Sequence, residues 1–315
     1  MKAIQLEEFS GPEALRYMEV PDPEPADGEL VIDVARAGVN FADTHVTRND
    51  YLAKQELPLI PGAEVAGRTP DGRRVAAILM NGGYAQRVVV PEATLVPVPE
   101  GVTDDQAAAL LLQGLTAHAL VHRCARLEPG QSVVVEAAAG GTGSLAVQLA
   151  KRAGARVIGL ASSPEKRELV ARLGADATAD SRAEDMKEAI LEANDGRQVD
   201  AVLQMSGGSA FEGQLRALAP FGRMVAFGIA SREENQVRTG HLMRHSRSVI
   251  GFWLMHLLTD PRAAASAVAD LLRAVEAGEL EVVIGGVHPL SEARAVHEAL
   301  AARSTQGKLL LDPAS

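Results

Sequence analysis

The chain has 315 residues, enough for two domains or for one large domain with a sizeable hydrophobic core. Apolar residues make up 47% of it and charged residues 23%, which excludes a largely disordered protein. The formal net charge of −10 argues against a nucleic-acid-binding surface, and the single cysteine, Cys124, excludes an internal disulfide or a multi-cysteine zinc site. The N-terminal segment has no apolar signal core, and no apolar run is long enough to span a bilayer. We therefore expect a soluble, cytoplasmic protein without a membrane partner.

The first hundred residues contain short β-rich runs separated by proline and glycine clusters. This pattern is typical of a compact, mostly antiparallel β domain. The runs are KAIQL, LVIDVARAGV, RRVAAIL and YAQRVVV. Helices begin at about Asp104, and from Ser132 strands alternate with helices, which predicts a parallel sheet. The predicted strands are 132–135, 155–160, 199–203, 224–227 and 248–254, the last of them SVIGFWL. A long amphipathic helix at 261–277 and short strands at 282–284 and 308–311 complete the chain.

The stretch SVVVEAAAGGTG at 132–143 is the centre of this pattern. It predicts a buried strand, a glycine turn and then a helix from Ser144, which is the start of a dinucleotide-binding unit. Side chains at the turn would block backbone N–H groups from a pyrophosphate, whose charge the helix dipole favours. After the next strand, Ser163 is suited to cap a helix and Pro164 to occupy its first position. Together these elements form a βαβ unit.

Eight ordered motifs resemble one family, the medium-chain dehydrogenase/reductase superfamily. They are AGVNFADTHV, LPLIPGAEVAG, GGYAQRVVV, GLTAHALV, EAAAGGTGSLAVQLAK, VDAVLQMSGG, GRMVAFG and QGKLLL. The chain looks most like the zinc-free quinone oxidoreductase branch, to which the zeta-crystallins belong. The resemblance implies an α/β fold in which a Rossmann-type doubly wound parallel sheet domain is inserted into a GroES-like, mostly antiparallel β catalytic domain. The expected boundaries are 1–112, 113–256 and 257–315, with the active site in the cleft between the domains.

The positions that would hold a catalytic metal differ from those of zinc-dependent relatives. Where such relatives have Cys, His and Cys, this chain has Asn40, Ala63 and Gln113. Alanine has no ligand atom and amides are poor zinc ligands, so we expect no metal. Glu64 is interpreted as a buried hydrogen-bonding residue. Without a Lewis acid, the chemistry left is reduction of an acceptor that is already electrophilic.

On the acceptor side the polar candidates are Asn40, Asp43, Tyr51 and Gln113, and the first three lie in a loop that lines the pocket of similar proteins. Asn40, Tyr51 and Gln113 are the predicted catalytic residues. Tyr51 either donates a hydrogen bond to the acceptor oxygen or packs as a lid, and both roles stay open. Asp43 is expected instead to cap the short turn at 41–46.

On the cofactor side, the resemblance and the strand ends predict contacts with NADP(H). The predicted residues are Thr116, Gly140, Gly141, Thr142, Gly143, Ser162, Ser163, Lys166, Gly228, Ile229, Phe252, Trp253 and Lys308. For Lys308, an exposed tail lysine is the alternative. NADPH is preferred over NADH because NAD-specific units place an acid about 20 residues after the glycine turn, where this chain has Ala161, Ser162 and Ser163. Lys166 then supplies a cation for a phosphate, while similar proteins carry an outward-pointing acid at the position of Glu165.

The predicted function is zinc-independent hydride transfer from NADPH to a quinone or another electrophilic carbonyl compound. An NADPH-dependent 2-alkenal or enoyl reductase of the same superfamily and a non-catalytic NADPH-binding protein are the alternatives. The apolar strand SVIGFWLM at the expected sheet edge predicts a homodimer, because such an edge left unpaired invites aggregation.

Overall fold

The computed structural model describes all residues, Met1–Ser315, and divides into two compact units. The first unit consists of Met1–Leu112 and Leu271–Ser315, and the second of Gln113–Asp270. The first break falls at the expected position, 112/113. The return lies at 270/271 rather than 256/257, because the first ten residues of the helix that begins at Pro261 belong to the second unit.

Strands and helices are numbered here in chain order. The strands are β1 (Lys2–Gln5), β2 (Arg16–Glu19), β3 (Glu29–Val39), β4 (Glu64–Arg68), β5 (Arg74–Ile78), β6 (Arg87–Pro91), β7 (Val96–Pro97), β8 (Ser132–Val135), β9 (Arg156–Ala161), β10 (Ala177–Asp180), β11 (Val199–Gln204), β12 (Leu218–Ala226), β13 (Ser248–Gly251), β14 (Ile284–Pro289) and β15 (Lys308–Asp312). The α-helices are α1 (Phe41–Val46), α2 (Asp104–Ala119), α3 (Gly141–Arg152), α4 (Pro164–Arg172), α5 (Met186–Ala193), α6 (Ser209–Ala217), α7 (Thr239–His245), α8 (Leu254–Leu258), α9 (Pro261–Glu276) and α10 (Ala293–Ala301). No helix is both long and apolar enough to cross a membrane.

The first unit is built on a seven-stranded sheet with the order β14-β15-β3-β4-β5-β7 and with β6 also paired to β3. All its pairs are antiparallel except β14 with β15, which confirms the mostly antiparallel β domain. Alternating apolar side chains of these strands form one core with Tyr84 and with residues of α10. Strand β6 begins at Arg87 rather than Tyr84, because the Tyr84 backbone bonds to Ile4 and Pro61 instead.

The second unit contains a six-stranded, wholly parallel sheet with the order β10-β9-β8-β11-β12-β13. Strand order runs outward from β8 in both directions, as in a doubly wound sheet. Parallel strands end at the same edge, so the residues that follow β8 to β13 gather there. Strand β13 has only β12 as a neighbour and is one of the two outer strands of this sheet, with β10 at the opposite edge.

Four further elements differ from their predicted bounds by more than one residue. Helix α3 begins at Gly141, three residues before Ser144, so the glycines form its first turn. Strand β12 begins at Leu218 instead of 224, and β13 ends at Gly251 because Leu254 starts α8. Strand β14 covers Ile284–Pro289 rather than 282–284. It continues through Gly285 because a Cβ there would lie 1.9 Å from the Gln306 carbonyl, an approach only glycine permits.

Candidate active site

A Cβ would clash at two glycines of the turn between β8 and α3, and at Gly143 the clash is with backbone, so only glycine fits there. A Cβ at Gly143 would lie 2.2 Å from the Ala137 carbonyl oxygen, and a Cβ at Gly141 would lie 1.7 Å from Gln113 Oε1. Ala137 itself has a positive φ of 49°, which turns the chain sharply after the strand. The turn therefore brings bare backbone to the N-terminus of α3, the arrangement that binds phosphate groups in dinucleotide sites.

Two predicted residues lie on α2, next to this turn in the chain's second unit. Gln113 and Thr116 are both buried polar residues. The Gln113 amide packs against Gly141, so this side chain, predicted to face the acceptor, lies beside a predicted cofactor residue. Thr116 lies three residues after Gln113 in the same helix and so is close to the same helix face.

The opening of α4 follows the prediction from the sequence. Ser163 is its N-cap, with Oγ accepting the Lys166 N–H at 3.3 Å, and Pro164 is the first helical residue. Glu165 is exposed, and a hydrogen bond with the Ser163 side chain lowers the pKa of its carboxyl group. Burial, and then the charge of Arg182, lower the pKa of Lys166. Arg182 was missed from the sequence, although its place just after β10 marks it as a residue of the same sheet edge.

The loops after β11 and β12 are held against each other. Ser231 N donates to the Ser206 carbonyl at 2.8 Å, and a Cβ at Gly228 would lie 2.6 Å from the Met205 carbonyl oxygen. Beyond β13, the Phe252 N–H donates to the Ala226 carbonyl at 2.9 Å, which extends the parallel pairing by one residue towards Trp253.

Glu136 is a second residue that the sequence analysis missed. It follows β8, is buried, and accepts hydrogen bonds from the Met205 and Ser206 N–H groups at 2.7 and 2.9 Å. Ser206 Oγ and Gln214 Nε2 also donate to this carboxylate. Four donors on one carboxylate fix the loop after β11 at the sheet edge. The sequence did contain an indication of this role: Glu136 directly follows the apolar strand β8, and a carboxylate buried at such a place needs hydrogen-bond donors.

In the first unit, a buried cluster joins Asn40, Glu64 and Lys308. Lys308 Nζ donates to Asn40 Oδ1 at 2.6 Å and to Glu64 Oε1, and Asn40 Nδ2 donates to Glu64 Oε1 at 3.0 Å. Glu64 Oε2 accepts the Leu112 N–H at 3.0 Å. Glu64 is thus confirmed as a buried hydrogen-bonding residue. Lys308 is only 1% exposed, so the exposed tail lysine is wrong.

A second buried group adjoins this cluster. Asp43 Oδ2 accepts the Asn40 N–H at 2.8 Å and so closes the first turn of α1, which confirms its capping role. Tyr84 Oη donates to the same oxygen at 2.9 Å and lies 3.0 Å from His297 Nε2. Burial raises the pKa of Asp43 to about 6 and lowers that of His297 to about 4. Burial, reinforced by Asp43, also raises the pKa of Tyr84 well above its ordinary value.

Tyr51 follows α1 and is half-buried. Its ring centroid lies 5.4 Å from that of His45, at a tilt of 34°. Burial raises the pKa of its hydroxyl, and the nearby Asp43 charge adds to the shift. His45 Nδ1 is in turn 2.7 Å from Asp50 Oδ1, which anchors the ring beneath Tyr51. Tyr51 is therefore a half-buried, protonated phenol whose ring packs against His45.

The donor groups around Asn40 do not fit a metal ion. No group of three or more His, Cys, Asp or Glu side chains is placed to hold one. Asn40 and Glu64 already bind a cation of the chain itself, the Lys308 ammonium. Ala63 contributes only a methyl group.

Known proteins match nearly the whole length of the chain. Family models match residues 26–100 (alcohol dehydrogenase GroES-like domain) and 141–286 (zinc-binding dehydrogenase). A quinone oxidoreductase of Pseudomonas aeruginosa is 35% identical over 99% of both chains, and a 2-haloacrylate reductase of Burkholderia sp is 30% identical over 99% of this chain and 98% of its own. Among solved structures, a quinone oxidoreductase of Thermus thermophilus, also determined in complex with NADPH, is 39% identical and superposes with a TM-score of 0.89, covering 99% of this chain and 100% of its own.

Proposed function

The chain belongs to the zinc-free quinone oxidoreductase branch of the medium-chain dehydrogenase/reductase superfamily, and from this we propose that it is an NADPH-dependent quinone oxidoreductase. The observation that carries the proposal is the composition of the polar cluster in the first unit. At two positions where zinc-dependent relatives have metal ligands, it has Asn40 and Ala63, and the Lys308 ammonium occupies the Asn40 and Glu64 oxygens. A site without a Lewis acid suits an acceptor that is electrophilic by itself.

The second unit has the features that NADPH requires. When bound, NADPH supplies a hydride from its nicotinamide ring. The glycine turn and the N-terminus of α3 suit its pyrophosphate, because backbone N–H groups stand at the helix start and the turn closes tightly at Gly143, where a Cβ would meet the Ala137 carbonyl. Ser162, Ser163, Lys166 and Arg182 suit the 2′-phosphate, because they combine hydroxyls, a helix N-terminus and two cations. The remaining predicted contacts are Thr116, Gly140, Gly141, Thr142, Gly228, Ile229, Phe252 and Trp253.

Reduction of a quinone makes modest demands on the protein. Addition of a hydride gives a hydroquinone anion, and one further proton completes the hydroquinone. The oxygen that gains charge is a phenolate, and phenols titrate near 10, as the tyrosine side chain shows. Water can therefore protonate the anion after the transfer, so an obligatory protein acid is not needed. The protein's task is to orient the acceptor and to stabilise its developing charge.

Asn40 and Tyr51 perform this task in the proposed mechanism. One Asn40 Nδ2 proton is directed to Glu64, while the contact of Nδ2 with the Gly38 carbonyl is long, 3.5 Å, and is easily exchanged for a better acceptor. The Tyr51 hydroxyl keeps its proton at neutral pH, because phenols titrate near 10 and burial raises its pKa further. Both groups thus offer hydrogen-bond donors rather than negative charge to an acceptor oxygen. Gln113, placed against Gly141, serves the cofactor side of the reaction.

A reductase for α,β-unsaturated carbonyl compounds is the second candidate, favoured by the similarity to the 2-haloacrylate reductase. Such an acceptor becomes an enolate, which is more basic than a phenolate and benefits from a placed proton donor. Tyr51 would then be essential rather than supporting.

The test is NADPH oxidation by the purified chain with a panel of ortho-quinones, para-quinones, enals and enoyl thioesters, each measured before and after treatment with a strong chelator. We expect efficient turnover of at least one quinone, unchanged by the chelator. Turnover of enals or thioesters without quinone turnover would favour the second candidate. NADPH binding without any turnover would favour a non-catalytic protein, and loss of turnover with the chelator would refute the metal-independent mechanism.

The proposed assembly is a homodimer in the cytoplasm. Its support is the outer strand β13 together with two exposed apolar side chains near it, Phe221 at 80% and Met243 at 79% exposure. The Phe221 N–H donates to the Ser246 carbonyl, so both side chains belong to the same margin of the sheet. Pairing two β13 strands would join two sheets and cover this margin. Light scattering should give twice the chain mass of 33.1 kDa, and a monomer across micromolar concentrations would contradict the proposal.

A further inference from the structure

Lys308 is among the largest fully buried side chains of the chain, and its charge is paired inside the core with Glu64. Such a pair is a poor source of stability, because removing two charges from water costs about as much as their attraction returns. An apolar pair of similar size would serve packing equally well. The contacts of the pair therefore call for a reason other than stability.

Those contacts fix the orientation of the Asn40 amide. An ammonium group only donates hydrogen bonds and a carboxylate only accepts them. Asn40 Oδ1 faces Lys308 Nζ at 2.6 Å, while Asn40 Nδ2 faces Glu64 Oε1 at 3.0 Å. Turning the amide over would set its N–H groups against the ammonium and its oxygen against the carboxylate. Only one of the two amide orientations is therefore compatible with the pair.

The neighbouring backbone is shaped to hold Glu64 in this place. A Cβ at Gly38 would lie 2.7 Å from Glu64 Oε1 and 2.5 Å from the Ala108 carbonyl oxygen, so the carboxylate fits only because residue 38 is glycine. The Leu112 N–H holds the second carboxylate oxygen. The Asn40 main chain is held separately by Asp43. The Asp43 carboxylate thus holds the Asn40 backbone N–H, while Lys308 and Glu64 contact both polar atoms of its side-chain amide.

We propose that the buried Lys308–Glu64 pair is a positioning device, which locks the Asn40 amide with its donor group in the orientation that binds the acceptor oxygen. Lys308 and Glu64 are positioning residues in this proposal and touch neither acceptor nor cofactor. The inference rests on the proposed reduction of a quinone. It replaces the expectation that Lys308 contacts NADPH.

The first experiment uses Lys308→Met, which keeps most of the unbranched side chain and removes the ammonium. We expect kcat/KM for the quinone to fall about tenfold, the middle of the range for directly coupled residues, with the Kd of NADPH unchanged. In an Asn40→Ala background the same substitution should cause no further loss, because Lys308 acts through Asn40. Lys2→Met is the matched control, since Lys2 forms an exposed pair with Glu19 in the same unit.

The second experiment separates positioning from stability. Lys308→Met alone leaves the Glu64 charge buried without its cation and will lower the melting temperature. The double substitution Glu64→Gln with Lys308→Met removes both charges, and the new amide can pair with Asn40 in either orientation. We expect the double variant to recover most of the melting temperature but not the lost turnover.

Three results would overturn the proposal. One is recovery of turnover together with stability in the double variant, another is additive losses for Asn40→Ala and Lys308→Met, and the third is a weaker NADPH Kd for Lys308→Met, which would make Lys308 a cofactor contact. Failure of the proposed function looks different, because the unmodified protein itself would then reduce no quinone.

Discussion

The glycine turn of the second unit and the buried cluster around Asn40 in the first unit differ in what they consist of. Around the glycine turn of the second unit, backbone groups are presented and side chains are missing, as at Gly141 and Gly143. Around Asn40 in the first unit, charged side chains are buried and paired with one another. The first region is sensitive to added atoms, and the second is sensitive to altered charge. An altered charge should therefore damage the region around Asn40 and spare the turn, whereas a methyl group added at Gly143 should damage the turn and leave the buried charges paired.

The largest expected effect comes from adding a methyl group to the bare turn. Gly143→Ala places a Cβ 2.2 Å from the Ala137 carbonyl oxygen, so the turn and α3 must move apart. We expect the free energy of unfolding to fall by about 3 kcal/mol, the upper end of the usual cost of overpacking, and NADPH binding to weaken with it. Chemical denaturation and fluorescence titration with NADPH measure the two effects.

Gly240→Ala is the matched control for this change, because nothing lies within 4 Å of a Cβ at Gly240 in α7. It should be neutral in both measurements. Equal effects at the two glycines would show that close packing at the turn is not what requires Gly143.

The next largest effect concerns the buried titratable groups of the first unit and the pH dependence of its stability. Asp43 has a folded-state pKa of about 6 against an ordinary value of 3.8, so it contributes stability at low pH that is lost as the pH rises through 6. His297 has a folded-state pKa of about 4 against 6.5, so it contributes stability at neutral pH that is lost as the pH falls through 6.5 towards 4. Asp43 and His297, which both contact the Tyr84 hydroxyl, therefore change the free energy of unfolding with pH in opposite directions.

Replacing either group should leave the pH dependence of the unfolding free energy that the other group contributes. Relative to the unmodified protein, Asp43→Asn should lose about 2.5 kcal/mol of unfolding free energy on acidification from pH 6.5 to 4, and His297→Gln should gain a similar amount. Urea denaturation at several pH values measures this, with the exposed Asp27→Asn as control. Curves for both variants that run parallel to that of the unmodified protein would contradict the assigned directions.

The same contrast explains how much was predictable from the sequence. The glycine turn, the Ser163 cap and the parallel strands depend on residues near one another in the chain, so their patterns identified them. The partners of Asn40 are 24 and 268 residues away, and those of Tyr84 are 41 and 213 residues away. Side-chain contacts of that separation leave no local pattern. Lys308 was accordingly assigned by resemblance to the cofactor, without any sign of its buried partners.

A smaller effect is expected at the phosphate end of the second unit, where charges are more exposed. Lys166→Ala should weaken NADPH binding by roughly 1–3 kcal/mol, the range for charge-assisted hydrogen bonds, and should leave NADH binding nearly unchanged. Arg182→Ala should act in the same direction, because Arg182 lies close enough to influence Lys166. Lys187→Ala in α5 is the control. Fluorescence titrations with NADPH and with NADH measure these affinities. Equal losses of affinity for both nucleotides would refute a 2′-phosphate site.

The smallest effect concerns Tyr51, which belongs to the first unit but lies outside its network of buried charges. Tyr51→Phe removes only the hydroxyl and keeps the ring on His45, 5.4 Å away between centroids. If the hydroxyl orients a quinone without delivering an essential proton, kcat/KM should fall by about 0.5–1.5 kcal/mol, the value of one neutral hydrogen bond. The lid function of the ring should persist, so NADPH oxidation without acceptor should not rise. Two results together would contradict this expectation: complete loss of activity in Tyr51→Phe, and efficient reduction of an enal by the unmodified protein. Tyr51 would then be the proton donor of an alkenal reductase. An enolate needs a placed proton donor, whereas a hydroquinone anion can take its proton from water.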